Sequence, residues 1–126
     1  MNKIGYAAYW LLRLVLISVF LYHGLTKFSK VQDLAKMMNM STTAVITLAL
    51  VEAIGAIFIF LGGFLKDWVT RLGALLLIPV MVGAIFMVHW GQWSFAPTEQ
   101  YPMGGMEFQV MLLAVLLYVL AKGNKS

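Results

Sequence analysis

Four long apolar stretches dominate this chain and restrict what it can fold into. They cover about residues 5–25, 43–65, 72–90 and 106–121, and the last of them is the shortest. An α-helix needs roughly 20 residues to cross the hydrocarbon core of a bilayer, so each stretch has the character of a membrane-spanning helix. The sequence therefore predicts an all-α fold in which residues 1–126 form a single transmembrane domain, an integral membrane four-helix bundle.

The composition supports a lipid environment. Apolar residues make up 62% of the chain and charged residues 11%, whereas a soluble domain is about a quarter charged. The net charge of +4 is spread over the ends and loops, which indicates membrane-surface charge, and no nucleic acid partner is expected. The chain has no cysteine, which excludes covalent c-type haem and thiolate-held iron–sulfur clusters.

The connections between the spans differ in character. The segment VQDLAKMMNM, residues 31–40, predicts a short amphipathic helix on the membrane interface, and Ser41 is placed to cap the second span. The segment KDWVTR, residues 66–71, reads as a tight turn. The third connection, residues 91–105, has no lysine or arginine and is rich in aromatic side chains, which is typical of the headgroup level.

Lysine and arginine residues outside the spans predict the orientation. One side carries five of them, namely Lys3, Lys66, Arg71, Lys122 and Lys125, and the other side carries Lys27, Lys30 and Lys36. Because cytoplasmic loops carry the excess of positive charge, both termini are expected in the cytoplasm.

Ionisable side chains within the spans are the candidate functional residues. They are Arg13, His23, Glu52, His89 and Glu107. A charge at the bilayer centre costs about 2.5–3.5 kcal/mol even on the lenient insertion scale, so such residues normally face the bundle interior and pair. Depths estimated from helical rise predict that the two histidines and two glutamates converge on the outer half of the bundle. Arg13 lies deeper, at a distance that its long side chain can bridge to Glu52.

Each of these residues also has a structural interpretation. Arg13 and Glu52 suit an ion pair that only fixes helix register, and His89 beside Trp90 suits a ring in the headgroup layer. Glu107 suits the first turn of a helix, where an acid favours the dipole. Two histidines and two glutamates allow a metal site, but none of them share a close helical spacing, and no metal is predicted.

Proton-coupled chemistry fits the same residues better than metal binding. Histidine exchanges protons near physiological pH, and a glutamate that is removed from water can exchange protons in the same pH range. Such a pair beside aromatic side chains suits quinone or quinol, which exchange protons together with electrons. A purely structural polar core remains an alternative.

The chain resembles the DoxX/DoxD family of four-helix membrane proteins over most of its length. The first span, RLVLISVFLYHGLTKF, is similar to that family's Arg-Leu followed by His-Gly-x-x-Lys, and VEAIGAIFIFLGGF is similar to its second helix. TRLGALLLIPVMVGAIFMVHW resembles the third helix, which ends in a histidine, and GGMEFQVMLLAVLL resembles the start of the fourth. Ser18 replaces the family's usual glycine, and the third connection is longer than the family's short loop.

The resemblance implies a membrane subunit associated with redox chemistry in a prokaryotic cytoplasmic (inner) membrane. DoxD relatives form part of a thiosulfate:quinone oxidoreductase, and other members work beside oxidative-stress and sulfur-transfer enzymes. The expected partners are therefore the lipid bilayer and a redox or sulfur-metabolism subunit, and self-association into a homo-oligomer stays open. The motif residues that carry over are Arg13, His23, Gly24, Lys27, Glu52, His89 and Glu107.

The leading hypothesis is a quinone-interacting membrane subunit of an oxidoreductase. His23 and Glu52 would handle protons, with Arg13 holding or orienting Glu52. His23, Lys27, His89 and Glu107 would bind the quinone, the cofactor that this chemistry suits. One rival is a small proton-coupled transporter with Glu52 as the carrier carboxylate, and another is a non-catalytic anchor or assembly subunit.

Overall fold

The computed structural model describes residues 3–124 and is 77% helical, with no strand in that range. Its elements are α1 (Lys3–Phe28), α2 (Val31–Met38), α3 (Thr42–Gly62), α4 (Asp67–Ala84), a π-helical segment (Ile85–His89) and α5 (Glu107–Lys122). The all-α membrane helical bundle is confirmed. Met1, Asn2, Lys125 and Ser126 lie outside the described residues, so the contribution of Lys125 to the predicted orientation does too.

Three helices in the described range are long and apolar enough to cross a membrane: Lys3–Phe28, Thr42–Gly62 and Asp67–His89, the last being α4 with its π-helical continuation. The fourth predicted span corresponds to α5, which has 16 residues. At 1.5 Å per residue α5 covers about 24 Å, less than the roughly 30 Å thickness of a hydrocarbon core. By length alone, α5 is a partial span.

The short connections fold as local chemistry dictates. Ser41 caps α3 as predicted, because its side chain accepts a hydrogen bond from the backbone N–H of Ala44 at 3.1 Å. The turn predicted at residues 66–71 is wrong, since α4 already begins at Asp67. Asp67 favours the helix N-terminus as an acid in the first turn, and Arg71 donates to it from one turn further on, at 2.6 Å. The tight connection is therefore residues 63–66.

Helix α3 lies between α1 and α4, and small residues allow both approaches. A side chain at Gly24 of α1 would meet the backbone of Ala49 and Ala53 on α3 at 3.1–3.2 Å. A side chain at Gly73 of α4 would meet the carbonyl oxygen of Gly55 at 2.8 Å. Helix α5 packs on α4.

The bundle has two different ends. We call the end formed by the C-terminus of α1, α2, the N-termini of α3 and α5, the π-helical segment and residues 90–106 the loop end. The opposite end, with the N-terminus of α1, the α3–α4 turn and the C-terminus of α5, is the termini end. Large apolar side chains along the helices remain exposed, including Leu11, Leu14, Ile57 and Phe86, as expected of a surface that faces lipid.

Candidate functional site: a polar cavity at the loop end

A cavity of about 490 Å³ opens within the loop end of the bundle. Every helix contributes to its wall, and the π-helical segment does as well. Most of the lining is apolar, from side chains such as Phe20, Leu48, Val80, Met81 and Leu112. The polar and charged lining residues are His23, Thr26, Lys27, Lys30, Glu52, His89 and Gln109.

An ion pair between Lys27 and Glu52 forms one side of this cavity. Lys27 Nζ lies 2.6 Å from Glu52 Oε1, and the two side chains are 16% and 3% exposed. The pair depends on Gly24, because α1 approaches the backbone of α3 at that residue and brings the next turn of α1 over Glu52. The prediction that Glu52 faces the bundle interior and contacts the first helix is confirmed.

The predicted pairing of Arg13 with Glu52 is wrong. Arg13 Nη1 donates to the carbonyl oxygen of Ile59 at 2.8 Å and to Thr70 Oγ1 at 2.9 Å, and Nη2 donates to Asn124 Oδ1 at 2.7 Å. The predicted pairing assumes that Lys27, at the end of the first span, and Thr43, at the start of the second, lie at the same depth. The contact of Gly24 with α3 instead puts Glu52 level with the His-Gly pair and leaves Arg13 near the termini end.

The C-terminal tail completes the network around Arg13. Thr70 Oγ1 donates to Asn124 Oδ1 at 2.6 Å, and Asn124 Nδ2 donates to the carbonyl oxygens of Gly62 at 2.8 Å and Leu65 at 3.2 Å. The backbone N–H of Asn124 donates to Asp67 Oδ1 at 2.6 Å. The contact with Gly62 satisfies a carbonyl that the end of α3 leaves without a helical partner, and the contact with Leu65 does the same in the α3–α4 connection. Sequence reasoning missed Thr70 and Asn124, whose one signal is that Thr70 is a polar residue in the first turn of an apolar helix and Asn124 a polar residue just after one.

His89 is buried in the protein, with 6% of its surface exposed. Its Nδ1 lies 2.7 Å from the carbonyl oxygen of Gly104. Gly104 has a φ of +86°, and a Cβ there would collide with the carbonyl oxygen of Phe95, so only glycine fits. The interpretation of His89 as a ring in the headgroup layer is therefore wrong, because the ring packs inside the bundle and lines the cavity.

His23 lines the cavity from a more exposed position. Its ring packs edge-on against Tyr22, with the ring centroids 5.6 Å apart. The contact of His23 with Lys27 is through its backbone, since Lys27 Nζ donates to the carbonyl oxygen of His23 at 3.5 Å. The structure thus places His23 at the cavity, but Lys27 rather than His23 is the partner of Glu52.

Glu107 does not line the cavity, contrary to the predicted convergence of four residues. It begins α5, and its Oε1 accepts a hydrogen bond from the backbone N–H of Phe95 at 3.3 Å. This contact fits the structural interpretation, in which an acid in the first helical turn favours the dipole. Among residues 3–124, no group of three or more His, Asp or Glu side chains is arranged to hold a metal ion.

Comparison with known proteins gives one result that bears on these residues. The DoxX family model matches residues 8–90, which is more than half of the chain. This chain belongs to the DoxX family. DoxX is a membrane family whose members are often associated with oxidoreductases, so the protein is a membrane protein. No curated protein sequence and no solved structure shows a significant match.

The DoxX match covers both Lys27 and Glu52 and ends just after His89, whereas α5 lies beyond it. Helix α5 nevertheless supplies a polar group to the cavity wall, the amide of Gln109. Its Oε1 is buried and has no hydrogen-bond partner among the described residues. Sequence reasoning missed Gln109, although an uncharged amide in a short apolar span carries a desolvation cost and is a signal in its own right.

Proposed function

We propose that this DoxX-family protein is a membrane subunit associated with an oxidoreductase and that it binds a quinone-type ligand in the loop-end cavity. The observation that carries the proposal is the cavity itself. Its volume of about 490 Å³ lies within the roughly 300–1,000 Å³ of small-molecule sites, which combine mostly apolar walls with a few polar groups.

The lining suits the shape and chemistry of such a ligand. A quinone has a flat ring, two opposed polar oxygens and an apolar tail, so it requires apolar walls interrupted by few hydrogen-bonding groups. Met81, Met87 and Met103 contribute flexible thioether side chains that adapt to a ring and a tail. The polar contacts would come from Lys27, Glu52, His89 and Gln109.

The residues of this chain would bind the ligand and exchange protons with it. When bound, a quinone would supply redox chemistry in which two electrons and two protons are exchanged. A partner oxidoreductase subunit would be the source or acceptor of the electrons. Glu52 carries the carboxylate that can accept a proton from a ligand hydroxyl, and Lys27 Nζ at 2.6 Å balances its charge while ionised. Arg13 has no part in this proposal, because its hydrogen bonds lie at the termini end.

We further propose that the termini end faces the cytoplasm of a prokaryotic inner membrane. Lys3, Lys66, Arg71 and Lys122 are at that end. At the loop end Lys27 forms an ion pair with Glu52, and the other lysines of that end are Lys30 and Lys36, which lie outside the membrane-spanning helices. This distribution gives the termini end the excess of lysine and arginine, and such an excess is typical of the cytoplasmic side. Reporter fusions after Lys122 and within residues 96–100 should report opposite sides, and cytoplasmic signal from residues 96–100 would invert the orientation.

Ligand binding tests the proposed function directly. The protein in nanodiscs free of endogenous quinone should bind a short-tailed quinone or its hydroquinone saturably, beyond the partitioning measured in empty nanodiscs. Lys27→Met and Glu52→Gln should each weaken binding by about tenfold, the equivalent of about 1.4 kcal/mol. Lys36→Met is the matched control, because Lys36 is exposed on α2 and outside the cavity lining.

Two outcomes would contradict the proposal. Binding no greater than in empty nanodiscs, for both redox forms, would exclude the cavity as a quinone site. The same negative result together with a proton flux that depends on Glu52 in liposomes would favour the transporter hypothesis.

A further inference from the structure

The hydrogen bond of His89 fixes which ring nitrogen carries a proton. A carbonyl oxygen can only accept, so the 2.7 Å contact between His89 Nδ1 and the carbonyl of Gly104 requires a proton on Nδ1. In the neutral ring, Nε2 then carries a lone pair and acts as an acceptor. Nε2 makes no hydrogen bond to another described residue, and the ring lines the cavity. His89 therefore offers the cavity an acceptor.

Gln109 offers a second acceptor of the lining, from α5. Its Oε1 is buried without a partner among residues 3–124, and leaving such an acceptor unpaired costs about 1–3 kcal/mol. The terminal torsion of glutamine is soft, so a small rotation of the amide turns Oε1 towards a ligand at the cavity wall. A ligand hydroxyl would recover the lost hydrogen bond.

The principal donor of the cavity, in contrast, is already engaged. Lys27 Nζ donates to Glu52 Oε1 at 2.6 Å and to the carbonyl oxygen of His23 at 3.5 Å. The carboxylate of Glu52 is itself an acceptor when ionised. His89 Nε2 and Gln109 Oε1 are thus two acceptors of the lining without a partner among the described residues, beside the exposed donor of Lys30.

Resting on the proposed function, we infer that the cavity recognises the reduced, hydrogen-bond-donating form of its ligand, a hydroquinone with an apolar tail, through His89 Nε2 and Gln109 Oε1. A hydroquinone donates two O–H groups, one for each of these two acceptors. The corresponding quinone has only acceptor oxygens, so it would leave His89 Nε2 and Gln109 Oε1 unsatisfied, and it would have to use the amide N–H of Gln109 or compete with Glu52 for Lys27. Sites built to receive a hydroxyl reject the analogue that lacks it, because their buried polar groups stay unpaired.

A series of three ligands on the unmodified protein separates hydrogen-bond donation from shape. The ligands are a short-tailed alkyl hydroquinone, its dimethyl ether and the corresponding quinone, each titrated into the protein in nanodiscs under anaerobic conditions. The hydroquinone should bind at least about tenfold more tightly than either of the others, the equivalent of one lost hydrogen bond or more. This series needs no variant and is insensitive to folding defects.

A variant then assigns the preference to Gln109. Gln109→Leu should weaken hydroquinone binding by about tenfold and quinone binding by less, because the ligand hydroxyl loses the acceptor Oε1 on which the preference rests. Met111→Leu is the matched control, since Met111 is two residues further along α5, exposed and outside the cavity lining.

The outcomes distinguish this inference from the proposed function. Saturable binding of the quinone with an affinity equal to or greater than that of the hydroquinone would overturn the inference and leave the quinone-type site standing. An equal loss for both forms in Gln109→Leu would overturn the role of Gln109. Absence of saturable binding by all three ligands would overturn the proposed function itself.

Discussion

Each end of the bundle holds one cation from α1, Arg13 buried and Lys27 half-buried, and the two are used differently. At the termini end, Arg13 donates to a backbone carbonyl, a threonine and an asparagine, and its guanidinium lies 4.8 Å from the ring centroid of Tyr9. At the loop end, Lys27 meets the carboxylate of Glu52 beside a cavity. The planar fork of arginine suits several fixed acceptors, whereas lysine is a compact charge on a flexible stem.

The difference indicates which end is structural and which end is able to react. The Arg13 network is closed by the tail, because Asn124 accepts from both Arg13 and Thr70 and donates to the end of α3. The Lys27 pair borders open space, with an acceptor on Gln109 left unpaired nearby. A network with every group satisfied stabilises a fold, while unsatisfied groups around a cavity provide for a ligand.

The sharpest test of this comparison is to remove each cation with the same substitution. Arg13→Met should lower the free energy of unfolding by about 3–5 kcal/mol, because it leaves a buried set of acceptors without their donor. Lys27→Met should cost less, about 1–3 kcal/mol, since Glu52 can take up a proton or be hydrated through the cavity. Unfolding in mixed detergent measures both, and a larger loss for Lys27→Met would reverse the assignment of the two ends.

A double-mutant cycle sharpens the pairing within the loop end. Lys27→Met and Glu52→Gln should be coupled by about 1–3 kcal/mol, because the two groups are in direct contact. Arg13→Met and Glu52→Gln should add to within about 0.5 kcal/mol, because they share no partner. Coupling between Arg13 and Glu52 of the same size as that of the Lys27 pair would contradict the register described here.

The smallest expected effects concern two glycines, Gly24 of α1 and Gly83 of α4. Gly24→Ala should destabilise by about 1–2 kcal/mol, because its methyl group would press on the backbone of α3 at 3.1–3.2 Å and shift α1. Gly83→Ala, with nothing within 4 Å of the new methyl, should stabilise α4 by up to about 1 kcal/mol through helix propensity. Thermal unfolding in detergent compares them, and equal shifts would show that Gly24 does not set the contact.

Apolar periodicity was sufficient to predict the helices but not their register. The runs of apolar residues located α1, α3 and α4, because lipid and bundle core both demand them. The start of α4 at Asp67 was missed, since its first turn is polar and held by the Asp67–Arg71 contact. Glu52 was assigned to the correct face but to the wrong partner, because the level of one helix against another depends on a close contact at Gly24 that spacing within a helix does not contain.

Long-range contacts explain the rest of what sequence reasoning missed. The tautomer of His89 depends on Gly104, fifteen residues further along and folded back by an irregular loop. The network of Arg13 depends on Asn124, a tail residue 111 positions away. Neither follows from a pattern within one helix, since both arise from how the ends of separate helices meet.

Photolabelling with a short-tailed azidoquinone tests the central claim most directly, that the loop-end cavity is the ligand site. After irradiation of the protein in nanodiscs, mass spectrometry of its peptides locates the label, and excess alkyl hydroquinone provides the competition. The account predicts label within residues 79–89 and 108–112, removed by the competitor and reduced in Glu52→Gln. The account would be contradicted by label that the competitor does not remove and that either spreads over the lipid-facing residues of α1 and α3 or concentrates around Arg13 at the termini end.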